Sequence, residues 1–210
     1  MEQRKLERFR KRVILIHWLE ATSFAILLVT GAIMFFDLPG LAGGRQIRVI
    51  HQVAAVFFVV IPVMFAVFDP RAAMSFLKNT VKWDRDDREW LRKALGYYFG
   101  KKADMPPQGY LNGDQKLWQL VVLNTGLIFM LTGVLMWFFK FKIPVMLYQW
   151  ILLTHEVAFI VISFSFLVHL YLTMLHPGFE ESLSAMVNGK ISASYARNHY
   201  SKWYEEKAEK

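Results

Sequence analysis

The chain has 210 residues, 55% of them hydrophobic and 16% aromatic, with 25 Lys+Arg against 17 Asp+Glu. A soluble domain is usually about 45–50% apolar. Here the excess gathers in four blocks with the charges between them, which excludes an ordinary water-soluble enzyme, a disordered chain and a collagen-like repeat. The chain has no cysteine, so disulfides, iron–sulfur ligation by this chain, thioether attachment of a cofactor and thiol nucleophiles are excluded too.

In chain order, the apolar blocks cover residues 13–36, 49–68, 117–139 and 144–175. Each is long enough to cross a hydrocarbon core of about 30 Å at about 1.5 Å per residue, and the fourth is long enough to tilt or project. The first is too long for the apolar region of a signal peptide and is followed by no small-residue cleavage site. These blocks predict an all-α fold, an integral membrane four-helix bundle forming a single domain over 1–210. The 69–116 segment is amphipathic over 83–98 and reads as an interfacial helical linker, and 176–210 as a tail.

The charges give an orientation. Residues 1–12 hold six Lys/Arg, 69–116 ten and 176–210 five, whereas 37–48 and 140–143 hold two each. The positive-inside rule then predicts a multi-pass protein of the bacterial cytoplasmic (inner) membrane with both termini cytoplasmic. It also accounts for the net charge of +8 without nucleic acid. Trp18, Trp118, Trp137 and Trp150 lie near span ends, where indoles favour the interface.

Ionisable side chains inside a bilayer mark function by default. His17 lies in the inner half of span one and His51 in the outer half of span two. In span four, His155 is outer and His169 inner, about 21 Å apart and within about 40° of one helical face. Two opposed pairs result, His51 with His155 outside and His17 with His169 inside. Two neutral imidazoles from facing helices are what a six-coordinate haem iron needs, and a bundle interior is where such groups are held. A structural histidine hydrogen-bonded within the bundle is the bland reading of any one of the four. Zinc would want three or four ligands at one depth. A proton relay would more often use Asp or Glu, and only Glu20 and Glu156 lie within spans. Glu156, beside His155, is a candidate outer-sphere group. His176 and His199 fall outside the bilayer and are assigned no ligand role.

Span one ends Val29-Thr30-Gly31-Ala32 and span three Leu131-Thr132-Gly133-Val134, an internal echo that sets both glycines in the outer half. Each glycine either packs helices closely or clears space for a flat ligand. Gly31 follows His17 by fourteen residues, so one face of span one carries a histidine at the inner level and no side chain at the outer.

The chain resembles the cytochrome b (gamma) subunit of respiratory membrane-bound formate dehydrogenases over nearly its whole length. The likeness rests on His17-Trp18, Arg48-Val49-Ile50-His51, Asn112-Gly113-Asp114-Gln115-Lys116, Thr132-Gly133, the His155/His169 spacing, and a tail with Gly189-Lys190-Ile191-Ser192 and Trp203-Tyr204. It implies two b haems with bis-histidine ligation by His17, His51, His155 and His169. It also implies an electron path from a molybdenum- or tungsten-pterin catalytic (alpha) subunit and an iron–sulfur (beta) subunit, through the outer then the inner haem, to a quinone (menaquinone or ubiquinone) near the cytoplasmic face. The quinone site it implies is His169, Asn112, Gly113 and Gln115, with Asp114 on the proton path. The family's Asn-x-Gly-Gln stands here as Asn112-Gly113-Asp114-Gln115, which leaves open the amide that meets the quinone. A turn at Asn112-Gly113 with Asp114 as N-cap accounts for the same residues with no ligand. On this reading the chain is an electron-transfer and quinone-reducing subunit with no catalysis of its own towards formate. The cytochrome b subunit of a membrane-bound nickel–iron hydrogenase follows the same haem logic, and a haem-free membrane scaffold is the reading from another class.

Overall fold

Each apolar block folds as one long helix. The computed structural model describes residues 4–41, 44–100, 104–178 and 180–208. In chain order these form β1 (Lys5–Glu7), α1 (Lys11–Phe35), α2 (Arg45–Phe68), α3 (Pro70–Val81), α4 (Arg85–Tyr98), α5 (Gly113–Phe138) and α6 (Val145–Leu170). A π-helical turn (Tyr171–Leu175), α7 (Glu180–Asn188), β2 (Lys190–Ser192), α8 (Ala193–His199) and α9 (Ser201–Ala208) follow. The four helices α1, α2, α5 and α6 are long and apolar enough to cross a membrane, the last with its π turn. Large side chains such as Phe57, Phe164 and Leu167 remain exposed on them. A helix apolar on all sides suits lipid, not water.

The helices α2 and α5 begin four residues ahead of their apolar blocks, at Arg45 and Gly113. Hydropathy reads the hydrocarbon, whereas a helix begins where its first amides find acceptors. At α5 that place is a reciprocal box: the Gln115 amide donates to Asn112 Oδ1 at 3.1 Å, and the Asn112 amide to Gln115 Oε1 at 3.2 Å. Asn112, not Asp114, is therefore the N-cap. The length of the fourth block resolves into α6 and the π turn, which the His176 amide closes on the Tyr171 carbonyl at 2.9 Å before Pro177.

The described residues fall into two compact units. One comprises 15–69 and 121–168. In it α1 meets α2 through Phe24 and Phe58, and α6 through Phe24 and Phe166 at 4.9 Å and Phe35 and Phe159 at 5.3 Å. A Cβ on Gly126 of α5 would lie 3.8 Å from Phe58 of α2, and α5 meets α6 through Phe129 and His155. Neighbours therefore run α1–α2–α5–α6–α1, with α2 and α6 on one diagonal and α1 and α5 on the other.

The other unit comprises 1–14, 70–120 and 169–210. The expected linker helices are present as α3 and α4, the latter capped by a box between Asp84 and Asp87. The all-α expectation misses a two-stranded antiparallel sheet, in which Lys5 pairs with Ser192 and Glu7 with Lys190. Gly189, at φ +82, permits it: a Cβ there would fall 2.5 Å from the Phe9 carbonyl, and the Arg8 and Phe9 amides donate to its own carbonyl. The core beneath is Ala185, Ile191, Tyr195, Ala196, Tyr200 and Trp203. Arg8 is buried against it with its guanidinium 4.0 Å from the Tyr200 ring, 4.4 Å from Tyr110 and 4.7 Å from Trp203.

Candidate functional site

Within the first unit, His51 on α2 and His155 on α6 occupy the diagonal positions. Their side chains are held alike. Nδ1 of His51 lies 2.7 Å from Thr30 Oγ1 on α1, and Nδ1 of His155 lies 2.7 Å from Thr132 Oγ1 on α5. Each hydroxyl also donates to the carbonyl one turn back, Ile26 at 2.7 Å and Ile128 at 2.6 Å.

Each of those threonines precedes a glycine of the echo. At Gly133 a Cβ would meet no described atom within 4 Å. At Gly31 it would lie 3.4 Å from the Phe159 ring and 3.7 Å from His51 Cε1, ordinary contact distances. Open space is thus a property of Gly133, while Gly31 is flanked by Phe159 and His51. Among the described residues no group of three or more His, Asp or Glu gathers as for a metal ion such as zinc. Two imidazoles held on diagonal helices could serve as the ligands of a haem b.

His17 belongs to the same unit, edge-on to Trp18 at 5.4 Å. His169 belongs to the other unit, where it stacks on Trp118 at 4.6 Å with the ring planes 7° apart. Their pairing rests on sequence spacing. Glu20 Oε1 is buried with no hydrogen-bond partner among the described residues, and Glu156 is half-buried.

Residues 112–115 lie in the second unit, and Asn112, Gly113 and Gln115 have internal hydrogen-bond partners there. Besides the capping box, Gln115 Nε2 donates to the Tyr200 hydroxyl at 2.8 Å and the Gly113 amide to Gln108 Oε1 at 3.0 Å. A Cβ on Gly113 would fall 2.6 Å from the Asp87 carbonyl, so the close approach there is by α4. A quinone carbonyl taking a hydrogen bond from Gly113 or Gln115 displaces one of these partners. Asp114 Oδ2 accepts from the Tyr98 hydroxyl at 2.6 Å, while Oδ1 is buried without a well-formed hydrogen bond. Burial and then the Asp114 charge push the Tyr98 phenol up, and the same two causes push Tyr97 up to about 12. Both stay protonated donors at neutral pH. A cavity of about 50 Å³ lined by Tyr97, Gln108, Asn112 and His199 has room for one or two waters and is far too small for a quinone ring.

His176 and His199 have structural partners. Both ring nitrogens of His176 face carbonyls, Pro177 at 2.9 Å and Tyr98 at 3.0 Å. His199 Nδ1 lies 3.1 Å from the Tyr97 hydroxyl and its ring stacks on Tyr195 at 4.2 Å. The residues missed from sequence are Thr30 and Thr132. Their signal is in the echo, which is Thr-Gly in both spans.

The family model described as prokaryotic cytochrome b561 matches residues 8–189. The cytochrome b556(Fdn) subunit of the nitrate-inducible formate dehydrogenase of Escherichia coli K12 is 26% identical over 198 residues, covering 90% of this chain and 86% of that one. The formate dehydrogenase cytochrome b556 subunit of Haemophilus influenzae is 27% identical over 214 residues, covering 96% and 83%. The cytochrome b556(fdo) subunit of formate dehydrogenase from Escherichia coli K12 is 26% identical over 201 residues, covering 90% and 87%.

Proposed function

The chain belongs to the prokaryotic cytochrome b561 family, and from that premise we propose that it is the membrane anchor and electron-transfer subunit of a respiratory formate dehydrogenase. As a family member it is an integral membrane cytochrome b with an electron-transfer role. The observation that carries the finer reading is the diagonal pair His51 and His155, each with Nδ1 engaged and no partner for Nε2 among the described residues. Haem b supplies a one-electron carrier when bound. The chain supplies the axial nitrogens: His51 and His155 for an outer haem and, on sequence spacing, His17 and His169 for an inner one. Both termini are cytoplasmic, electrons enter from a periplasmic iron–sulfur subunit beside a pterin-containing catalytic subunit, and they leave to quinone. The relatives' names favour this over the hydrogenase reading.

For the acceptor end we propose His169 with Asn112, Gly113, Asp114 and Gln115, where quinone carbonyls exchange with the internal partners of the capping segment. Quinone reduction consumes two protons for two electrons. The Asp114 carboxylate, in contact with the Tyr98 hydroxyl and with one oxygen unpartnered, supports a role in handing on those protons.

The test is the purified complex. Haem extraction should give two non-covalent b haems per chain, both low-spin by electron paramagnetic resonance, and the co-purifying subunits should include an iron–sulfur and a pterin protein. His51→Ala should remove the haem first reduced by the partner. His17→Ala should leave that haem reducible and stop quinone reduction. One haem per chain, a high-spin resting iron, or loss of outer-haem reduction in an assembled His17→Ala complex would overturn the assignment.

A further inference from the structure

We propose that Thr30 and Thr132 are positioning residues for the outer haem, their hydroxyl oxygens fixing both the tautomer and the ring rotation of His51 and His155 so that Nε2 is the ligand nitrogen. The inference rests on the reading that these two histidines hold a haem.

A threonine hydroxyl has one proton and two lone pairs. In Thr30 the short bond to the Ile26 carbonyl, 2.7 Å, uses that proton, and in Thr132 the 2.6 Å bond to Ile128 does the same. A carbonyl cannot donate, so the oxygen meets the histidine as an acceptor. The histidine nitrogen facing it must then carry the hydrogen. Nδ1–H is thereby fixed in both rings and Nε2 keeps its lone pair, the form an axial ligand needs.

Back-bonding of a threonine to the preceding turn is common in membrane helices and needs no ligand. The chain contains its own control. Thr125, also buried on α5, bonds the Val121 carbonyl at 2.7 Å and reaches no histidine among the described residues. Thr22, Thr154 and Ser165 on the spans likewise bond the carbonyl four residues back. Thr30 and Thr132 add the same second partner, a histidine Nδ1, at the same 2.7 Å. Moreover, they sit on the diagonal opposite the two histidines, so each ligand is steadied by a neighbouring helix. An acceptor on Nδ1–H raises imidazole basicity, which favours ferric over ferrous iron.

The experiment uses the assembled complex with Thr30→Val, Thr132→Val, Thr30→Ser and Thr132→Ser, read by redox titration of both haems and by electron paramagnetic resonance of the ferric state. Valine keeps the shape and removes the hydroxyl, while serine keeps the hydroxyl. Each valine variant should raise the midpoint of the same haem, the one lost in His51→Ala, and alter its g-values, with the other haem unmoved. A net hydrogen bond of about 1 kcal/mol sets the upper scale at about fivefold in the ferric/ferrous ratio, or about 40 mV for one electron at 59 mV per decade. Both serine variants should match the wild type. Unchanged potential and g-values in the valine variants would overturn the proposal, as would serine variants that shift as far as valine, or shifts on two different haems. Where a valine variant loses its haem, a serine variant that keeps wild-type spectra supports the hydroxyl role and one that loses its haem refutes it. A wild-type complex lacking a bis-histidine haem at this pair would instead refute the underlying reading.

Discussion

Replacing Gly113 with Ala puts a Cβ 2.6 Å from the Asp87 carbonyl oxygen, with the Trp90 ring at 3.3 Å and Leu91 Cγ at 3.4 Å. Close C···O contacts lie at about 3.3–3.6 Å, so α4 and the start of α5 must part by about 0.7 Å or more. Little there can yield. The Asp87 side chain is tied to the Asp84 amide at 2.9 Å and to Lys116 Nζ at 2.6 Å. Overpacking of this kind costs about 1–3 kcal/mol, and alanine over glycine in a helix returns up to about 1 kcal/mol. The expected net loss is about 1–2 kcal/mol, which for a chain of this size lowers Tm by about 2–8 °C. Gly109→Ala is the control, since no described atom lies within 4 Å of its Cβ and its φ is not positive. It should be neutral or slightly stabilising. Thermal unfolding of both variants in detergent, with binding of a quinone-analogue inhibitor measured alongside, decides the matter. A Gly113→Ala protein as stable as Gly109→Ala but weaker in inhibitor binding would mean that the bare backbone serves the ligand and not α4.

Arg8→Ala should destabilise the unit built on Tyr200 and Trp203 by about 2–4 kcal/mol, because it removes both a desolvated cation–π contact and the volume that fills the cage; protease resistance of the tail reports it, and equal resistance of the two proteins would refute it. Burial holds the His199 imidazole below its ordinary value, so its unfolded form binds the proton more readily. That contribution is complete above about pH 6.5 and shrinks as pH falls below it, and a His199→Gln variant should show a flatter loss of unit stability between pH 7.5 and 5.5. Gly133→Leu meets no described atom within 4 Å of its first carbon, so the chain should assemble yet lose one haem; retention of both with wild-type spectra would show the space to be no part of a haem site.

The spans were legible because a bilayer demands long apolar runs, against which four histidines stand out as candidates. The helix starts were not, since Asn112 and Gln115 begin α5 by bonding each other's backbone, a local exchange that hydropathy does not register. The β1–β2 pairing escaped for another reason. Lys5 and Ser192 are far apart in sequence, and three-residue strands carry too little pattern to announce a partner. In residues 112–115 the sequence allows either a quinone site or a turn that caps the helix, and only the fold shows which internal partners these residues have. The fold gives Gly113 to Asp87, and Gln115 to Asn112 and Tyr200, so a quinone there competes with contacts already made.

The two Thr–His bonds are short-range, spanning 21 and 23 residues, and each stays within one helical hairpin, α1–α2 or α5–α6. Each hairpin therefore orients one histidine with its own atoms before any contact with the other is needed. On the proposed haem reading, what remains for assembly is to bring the two imidazoles to one haem, which would itself link the hairpins. Anything that binds the folded pair and not the separated hairpins stabilises the pair by mass action. On the proposed haem reading the echo in spans one and three has a physical reason: the same device, a back-bonded threonine ahead of a glycine, would be used once per hairpin to present one nitrogen to a shared haem.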